Sequence, residues 1–168
     1  MPELSLQDKY APRSVCFGCG PANERGLHIK SRVEGDEVVC DWTPEPYHHA
    51  FEGILNGGIV GTLLDCHSNW TAVHAMMVRD GRETPPPTVT AEFTLKMVRP
   101  TPMGSTIHLR ARVAELKGDR AVVESTLEAE GKIRATFRGT FVAVKEGHPA
   151  YSRWREPAYP RKVAGGRA

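Results

Sequence analysis

The stretch Asn56-Gly-Gly-Ile-Val-Gly-Thr-Leu-Leu-Asp-Cys-His-Ser-Asn-Trp-Thr-Ala-Val-His-Ala-Met-Met-Val78 decides the fold. It holds no proline, and Val60, Leu63, Leu64, His67, Trp70, Thr71, His74 and Met77 recur at steps of three and four. That is the period of one helical face. The opposite side carries Ile59, Cys66, Val73 and Met76, so the helix is apolar nearly all round. Such a helix is enclosed by the rest of the chain rather than laid on its surface. Asn56 is suited to cap the first turn, and Gly57 and Gly58 let another group approach the backbone closely.

Working outward, residues 79–87 form a polar loop ending in three prolines, and only strand signals follow. Residues 88–98, 106–116, 120–130 and 133–144 alternate apolar with polar, separated by turn residues such as Lys117-Gly118-Asp119 and Gly131-Lys132. Upstream, residues 27–33 and 37–42 read as two strands joined by Glu34-Gly35-Asp36. Residues 43–47, with two prolines, break the pairing. Residues 16–26 are dense in Gly, Pro and Asn and read as a structured turn. The first fifteen residues show no sustained period and are expected to be an arm. The order is β-β-α-β-β-β-β, an α+β fold with about six antiparallel strands wrapped around one long central helix. The outer face and edges of that sheet still need cover, so a second copy of the chain is expected there.

A chain of 168 residues makes one ordinary domain with a sizeable core. Hydrophobic residues at 40% and charged residues at 25% match globular averages. No apolar run approaches the length of a membrane span, and no basic-then-apolar segment opens the chain. Membrane, collagen, coiled-coil and disulfide-scaffold classes are excluded, and a cytoplasmic location is expected. Residues 145–168 hold six Lys/Arg and two Asp/Glu, so they carry +4 while the remainder carries −2. The basic balance is therefore a solvated tail, and no nucleic-acid or membrane partner is expected. Cys16 and Cys19 have the spacing of a metal or redox pair, but no second Cys-x-x-Cys exists. The pair is read as a structural turn, with no metal and no organic cofactor.

Asp65 lies in an otherwise apolar helix, and Gly61, Thr62, Ser68 and Asn69, three and four residues away, supply no positive charge. A buried carboxylate must be paired, water-facing or functional. Gly57 and Gly58 open the helix, where backbone N–H groups lack partners and the dipole favours negative charge. Lys96 and Arg99, near a strand end, are candidates to bind phosphates as point charge and fork.

The segment Gly53-Ile-Leu-Asn-Gly-Gly-Ile-Val-Gly-Thr-Leu-Leu-Asp65 resembles the signature of hotdog-fold thioesterases of the phenylacetate-pathway type. In that signature His-Gly-Gly is followed by Asp or Glu eight residues past the first Gly. Residues 88–104 resemble the strand and turn that follow, and residues 16–27 resemble a leader found in some members. The resemblance spans about residues 16–144. It implies a hotdog domain over residues 27–146, preceded by an arm and turn (1–26) and followed by a basic tail (147–168). It further implies hydrolysis of an acyl-CoA by a homodimer or homotetramer without a cofactor. Asp65 would be nucleophile or general base, Gly57 the oxyanion donor, and Thr90 a residue orienting water. Asn56 stands where the family has His. Gly58 would contact substrate, and His49 or His48 stands near the usual place of a family Asn or Gln. Eight residues of helix span about 12 Å, so one carbonyl meets both Gly57 and Asp65 only if they come from two antiparallel helices in two subunits. The rival expectations are a non-catalytic acyl or ligand binder, and a hydratase or dehydratase on the same fold.

Overall fold

The computed structural model describes residues 3–154. The elements are α1 (Leu6–Tyr10), β1 (Arg32–Glu34), β2 (Glu37–Trp42), β3 (His49–Phe51), β4 (Ile54–Leu55), α2 (Gly57–Asp80), β5 (Thr88–Met97), β6 (Ile107–Lys117), β7 (Arg120–Ala129) and β8 (Lys132–Ala143). Six strands form one antiparallel sheet in the order β1-β2-β6-β7-β8-β5, and β3 and β4 form a separate small hairpin. The expected α+β architecture, a six-stranded sheet against one long helix, is the one observed.

Local chemistry places the ends of α2. The Asn56 side-chain oxygen accepts from the N–H groups of Gly58 (2.8 Å) and Ile59 (3.2 Å). At the other end Gly81, at φ 60°, adopts the left-handed conformation that glycine tolerates, and Arg82 N–H closes onto the Met77 carbonyl at 2.9 Å. The helix thus runs two residues past Val78.

The sheet does not enclose the helix alone. Every residue from Ser68 to Val73 is buried, and so is His67. One side packs on the sheet; the other lies under the N-terminal segment, whose Leu6, Ala11, Cys19, Leu27 and Ile29 join the same core. The expected arm contains a short helix, α1, because Ser5 caps Asp8 N–H and Leu6 and Gln7 face inward. Residues 27–31 are not a strand. Leu27 and Ile29 N–H groups bond back to Phe17 and Gly18 carbonyls, and His28 takes φ 53°, so the backbone pairs with the 16–26 turn instead.

A buried polar chain ties this segment to α2. Gln7 bonds Ser31 through both its amide nitrogen (2.9 Å) and its oxygen (2.8 Å). Ser31 Oγ lies 2.9 Å from His67 Nδ1, and His67 Nε2 lies 2.9 Å from the Val38 carbonyl. A carbonyl only accepts, so Nε2 carries the proton and Nδ1 accepts from Ser31. Both nitrogens of this core histidine are therefore satisfied.

Burial pushes the His67 imidazole down to about 4. Its unfolded value near 6.5 is higher, so the unfolded chain binds the extra proton first. The resulting stability is full above pH ~6.5 and is lost as pH falls towards 4, at most about 3 kcal/mol. Urea midpoints should drop across that window, and the slope should flatten in His67→Gln. An unchanged slope in that variant would refute the assignment.

The outer face of the sheet is rich in charge. It carries a lattice of ion pairs, Arg110–Glu37 at 2.8 Å, Arg138–Glu124 at 2.5 Å and Arg138–Glu115 at 3.0 Å. Uncovered apolar surface includes the edge strand β5 and the turn after it, where Phe93, Met97 and Val98 are each about half exposed.

Candidate active site

The first turn of α2 presents its backbone along the edge strand. A Cβ added at Gly57 would meet the Met97 methyl at 3.3 Å, and one at Gly61 would meet Leu95 at 3.7 Å. Gly57, Gly61 and Asp65 therefore form one row, at helical spacing, facing β5. Among the described residues no acceptor is bonded to the Gly57 N–H, because the Asn56 cap takes Gly58 and Ile59 and leaves the first donor open. The Gly58 N–H, a sequence candidate for substrate contact, is occupied by that cap.

Asp65 is half-buried, and Thr90 Oγ1 donates to its Oδ1 at 2.8 Å. A bulge follows Thr90. Thr90 pairs with Phe141 and Glu92 with Thr140, so Ala91 is an extra residue on β5. Such an insertion bends a strand and re-aims the neighbouring side chain. Burial raises the Asp65 carboxyl above its ordinary range, while the Thr90 bond and the Arg153 charge oppose the shift.

Arg153 is the cation that no helical neighbour supplies, and sequence reasoning left it in the tail. Its guanidinium donates to the Thr88 carbonyl, one residue pair from Thr90, and stacks 4.1 Å over the Trp154 ring. Trp154 packs on Trp70 with ring centroids 4.8 Å apart and donates to the Pro86 carbonyl at 3.0 Å. The first residues of the expected tail are thus docked beside the site. A Trp and an Arg near a polar terminus were the signal available for this; residues 155–168 lie outside the described part.

The other candidates are dispersed. His48 anchors the loop before the helix: its ring stacks on Trp42 at 5.3 Å and its carbonyl accepts from Asn56 N–H at 2.9 Å. His49 is exposed on β3, opposite Leu55. Lys96 lines a cleft with Thr94, Arg110 and Arg138, on the ion-paired face of the sheet. Arg99 donates to the Ile133 carbonyl at 2.8 Å. Gly57, Asp65 and Thr90 are brought to one face; Lys96 is not brought there with them.

In chemical terms the row offers an open N–H at a helix start and a carboxylate with one oxygen held and the other available. These are an oxyanion donor and a base or nucleophile for an acyl carbon.

Solved structures share this arrangement of sheet and helix. A thioesterase superfamily protein from Shewanella loihica PV-4 matches with a TM-score of 0.61 and 27% identity, over 74% of this chain and 98% of that one. The fold is that of the thioesterase superfamily. The PaaI protein from the phenylacetic acid degradation operon of Escherichia coli matches it at a TM-score of 0.60 and 18% identity, over 71% of this chain and 81% of that one. A Streptococcus mutans protein bound to acetyl-CoA matches at 0.58 and 17%, over 69% and 88%. No protein-family model matches the sequence, and no curated protein does. The resemblance to phenylacetate-pathway thioesterases carried by residues 53–65 is thus met by structural neighbours that include such proteins. No helix of this thioesterase fold, among the described residues, is long and apolar enough to cross a membrane.

Proposed function

We propose that the protein hydrolyses acyl-CoA thioesters at a site built from two chains, with Asp65 from one and the Gly57 N–H from the other. The observation that carries this reading is the Gly57–Gly61–Asp65 row beside β5, with Asp65 held by Thr90 and the Gly57 N–H left open. Asp65 acts as general base or as nucleophile. As base, its free oxygen takes a proton from water. The water oxygen adds to the thioester carbon, negative charge on the carbonyl oxygen rests on the Gly57 N–H, and the C–S bond breaks to release the thiol of CoA. As nucleophile, Asp65 adds to the thioester carbon, the C–S bond breaks to expel CoA as its thiolate, and water hydrolyses the resulting mixed anhydride to the acid and the free Asp65 carboxylate.

The two-chain site follows from distance. Asp65 lies about 12 Å along the helix from Gly57, too far for one carbonyl to reach both. A twofold partner packed antiparallel along the exposed Phe93, Met97 and Val98 edge brings each Asp65 to the other helix start. A panel of acyl-CoAs assayed by thiol release identifies the substrate. Mixed oligomers then test the sharing. Chains carrying Asp65→Asn are inactive alone, as are chains carrying Gly57→Pro. Combined, they regain activity, because one site in the mixed dimer keeps both native groups. No regain places the two groups in one chain and refutes the sharing.

Thr90→Val keeps the shape and removes the bond to Asp65. Loss of one hydrogen bond to a charged group predicts a kcat about tenfold lower with the oligomer unchanged. A wild-type kcat would remove Thr90 from the site.

A hydratase reading needs an imidazole beside the carboxylate. His67 is buried with both nitrogens bonded, and Asn56 is turned into its own helix. The non-catalytic binder reading would be favoured by a panel in which acyl-CoA is retained for hours without thiol release.

A further inference from the structure

The fold gathers three cysteines that the proposed hydrolysis does not use. Cys16 and Cys19 lie on the turn before residue 26, and Cys66 lies on α2, 50 residues from Cys16. Their three sulfurs all lie within 4.8 Å of one another, and Cys16 Sγ is 3.8 Å from Cys66 Sγ. We propose that Cys16, Cys19 and Cys66 form a site for a divalent thiophilic cation, zinc, with three thiolate ligands and a water at the fourth position.

The distances fit that cation. Zinc–sulfur bonds of about 2.3 Å in a tetrahedron place sulfurs about 3.8 Å apart. The Cys16–Cys66 pair is already at that separation. It is also well beyond the roughly 2.05 Å of a disulfide, and three thiols cannot pair off.

The turn is shaped to aim sulfur at sulfur. A Cβ at Gly18 would overlap Cys66 Sγ and approach Thr62, and one at Gly20 would overlap the Cys16 backbone and the Ser14 carbonyl. Both positions therefore require glycine for the turn to lie this close to the helix. Gly20 N–H closes the turn on the Cys16 carbonyl at 2.9 Å, and the Phe17 and Gly18 carbonyls are clipped by Leu27 and Ile29 N–H groups.

Cys19 also faces an indole donor. Trp70 Nε1 lies 3.4 Å from Cys19 Sγ. Cys19 is buried and Cys16 and Cys66 are partly buried, so a fourth ligand would enter on the side of those two. Cys40, the remaining cysteine, is buried on β2 and bonds the Asp41 carbonyl, outside the cluster. The Cys-x-x-Cys pair looked like half a site because its third ligand is distant in sequence. The consequence is mechanical: a bound ion pins the turn to the helix at the residue following Asp65.

The test is cobalt and zinc titration of the reduced, chelator-treated full chain. One equivalent of cobalt should give visible ligand-field bands and thiolate-to-cobalt charge transfer, both displaced by one equivalent of zinc. Cys16→Ser, in the surface turn, should weaken binding at least a hundredfold, and Cys66→Ser likewise; Cys40→Ser should leave it unchanged. Zinc should also protect three of four thiols from a thiol reagent and raise Tm. Absence of the bands in reduced protein, or their persistence in Cys16→Ser, overturns the proposal; so does equal loss in Cys40→Ser. None of these readouts involves thioester turnover, so the metal site and the hydrolase reading stand or fall separately.

Discussion

Asp65→Asn is expected to lower kcat/KM on the best acyl-CoA by about a thousandfold or more, the scale on which a base or nucleophile acts. The substitution keeps the side-chain volume and an oxygen to accept from Thr90 Oγ1, which now sits 2.8 Å away. It removes only the ability to take a proton or to attack. Burial disfavours the charged carboxylate here, so the variant should fold at least as stably as the native chain. Loss of rate without loss of Tm separates function from structure. A variant with native kcat/KM on every active thioester would end the hydrolase reading through Asp65.

The second large effect is expected from Gly57→Pro, a substitution that deletes one N–H and little else. Gly57 is the first helical residue, where proline is well tolerated and its fixed φ suits the helix. Asn56 precedes it at φ −58° and ψ 130°, an extended conformation that a following proline favours. The nearest atom to the added Cβ is the flexible Met97 methyl, at 3.3 Å. The Asn56 bonds to Gly58 and Ile59 do not involve the deleted group. Removing an oxyanion donor costs about a hundred- to a thousandfold in kcat, while thermal stability should hold or rise. The measurement is kcat with Tm in parallel. Unchanged kcat would show that the negative charge is held elsewhere.

Of the site, the part written in local sequence was legible. Asn56, Gly57 and Asp65 lie within ten residues on one helix, so a period of 3.6 and a cap preference suffice to place them. Thr90 was harder: its resemblance-based role stands beside an ordinary preference of Thr for strands, and only the packing of β5 against α2 shows its hydroxyl on Asp65. Arg153 and Trp154 read as tail because nothing in their neighbours is periodic. Their contacts are with Thr88, Pro86 and Trp70, each more than sixty residues away.

The fold divides the same way. Hairpins were readable where glycine marks the turn, as at Gly35, Gly118 and Gly131, all at positive φ. Residues 27–31 misled because their alternation of buried Leu27, Ile29 and Ser31 is that of a strand, while their backbone bonds go to a turn rather than to a sheet.

Sequence alone determined what depends on residues within a few turns of one another: the enclosed helix, its capped and glycine-lined start, the carboxylate eight residues on, and the run of strands that follows it along the chain. Tertiary structure decided what depends on chain closure: the N-terminal segment over the back of α2, the Arg153 charge near Asp65, and three sulfurs converging from positions 50 residues apart. The reason is physical. Periodicity and capping are set by neighbours along the chain, whereas a buried contact between distant segments is chosen by the whole core at once, and no local pattern encodes its partner.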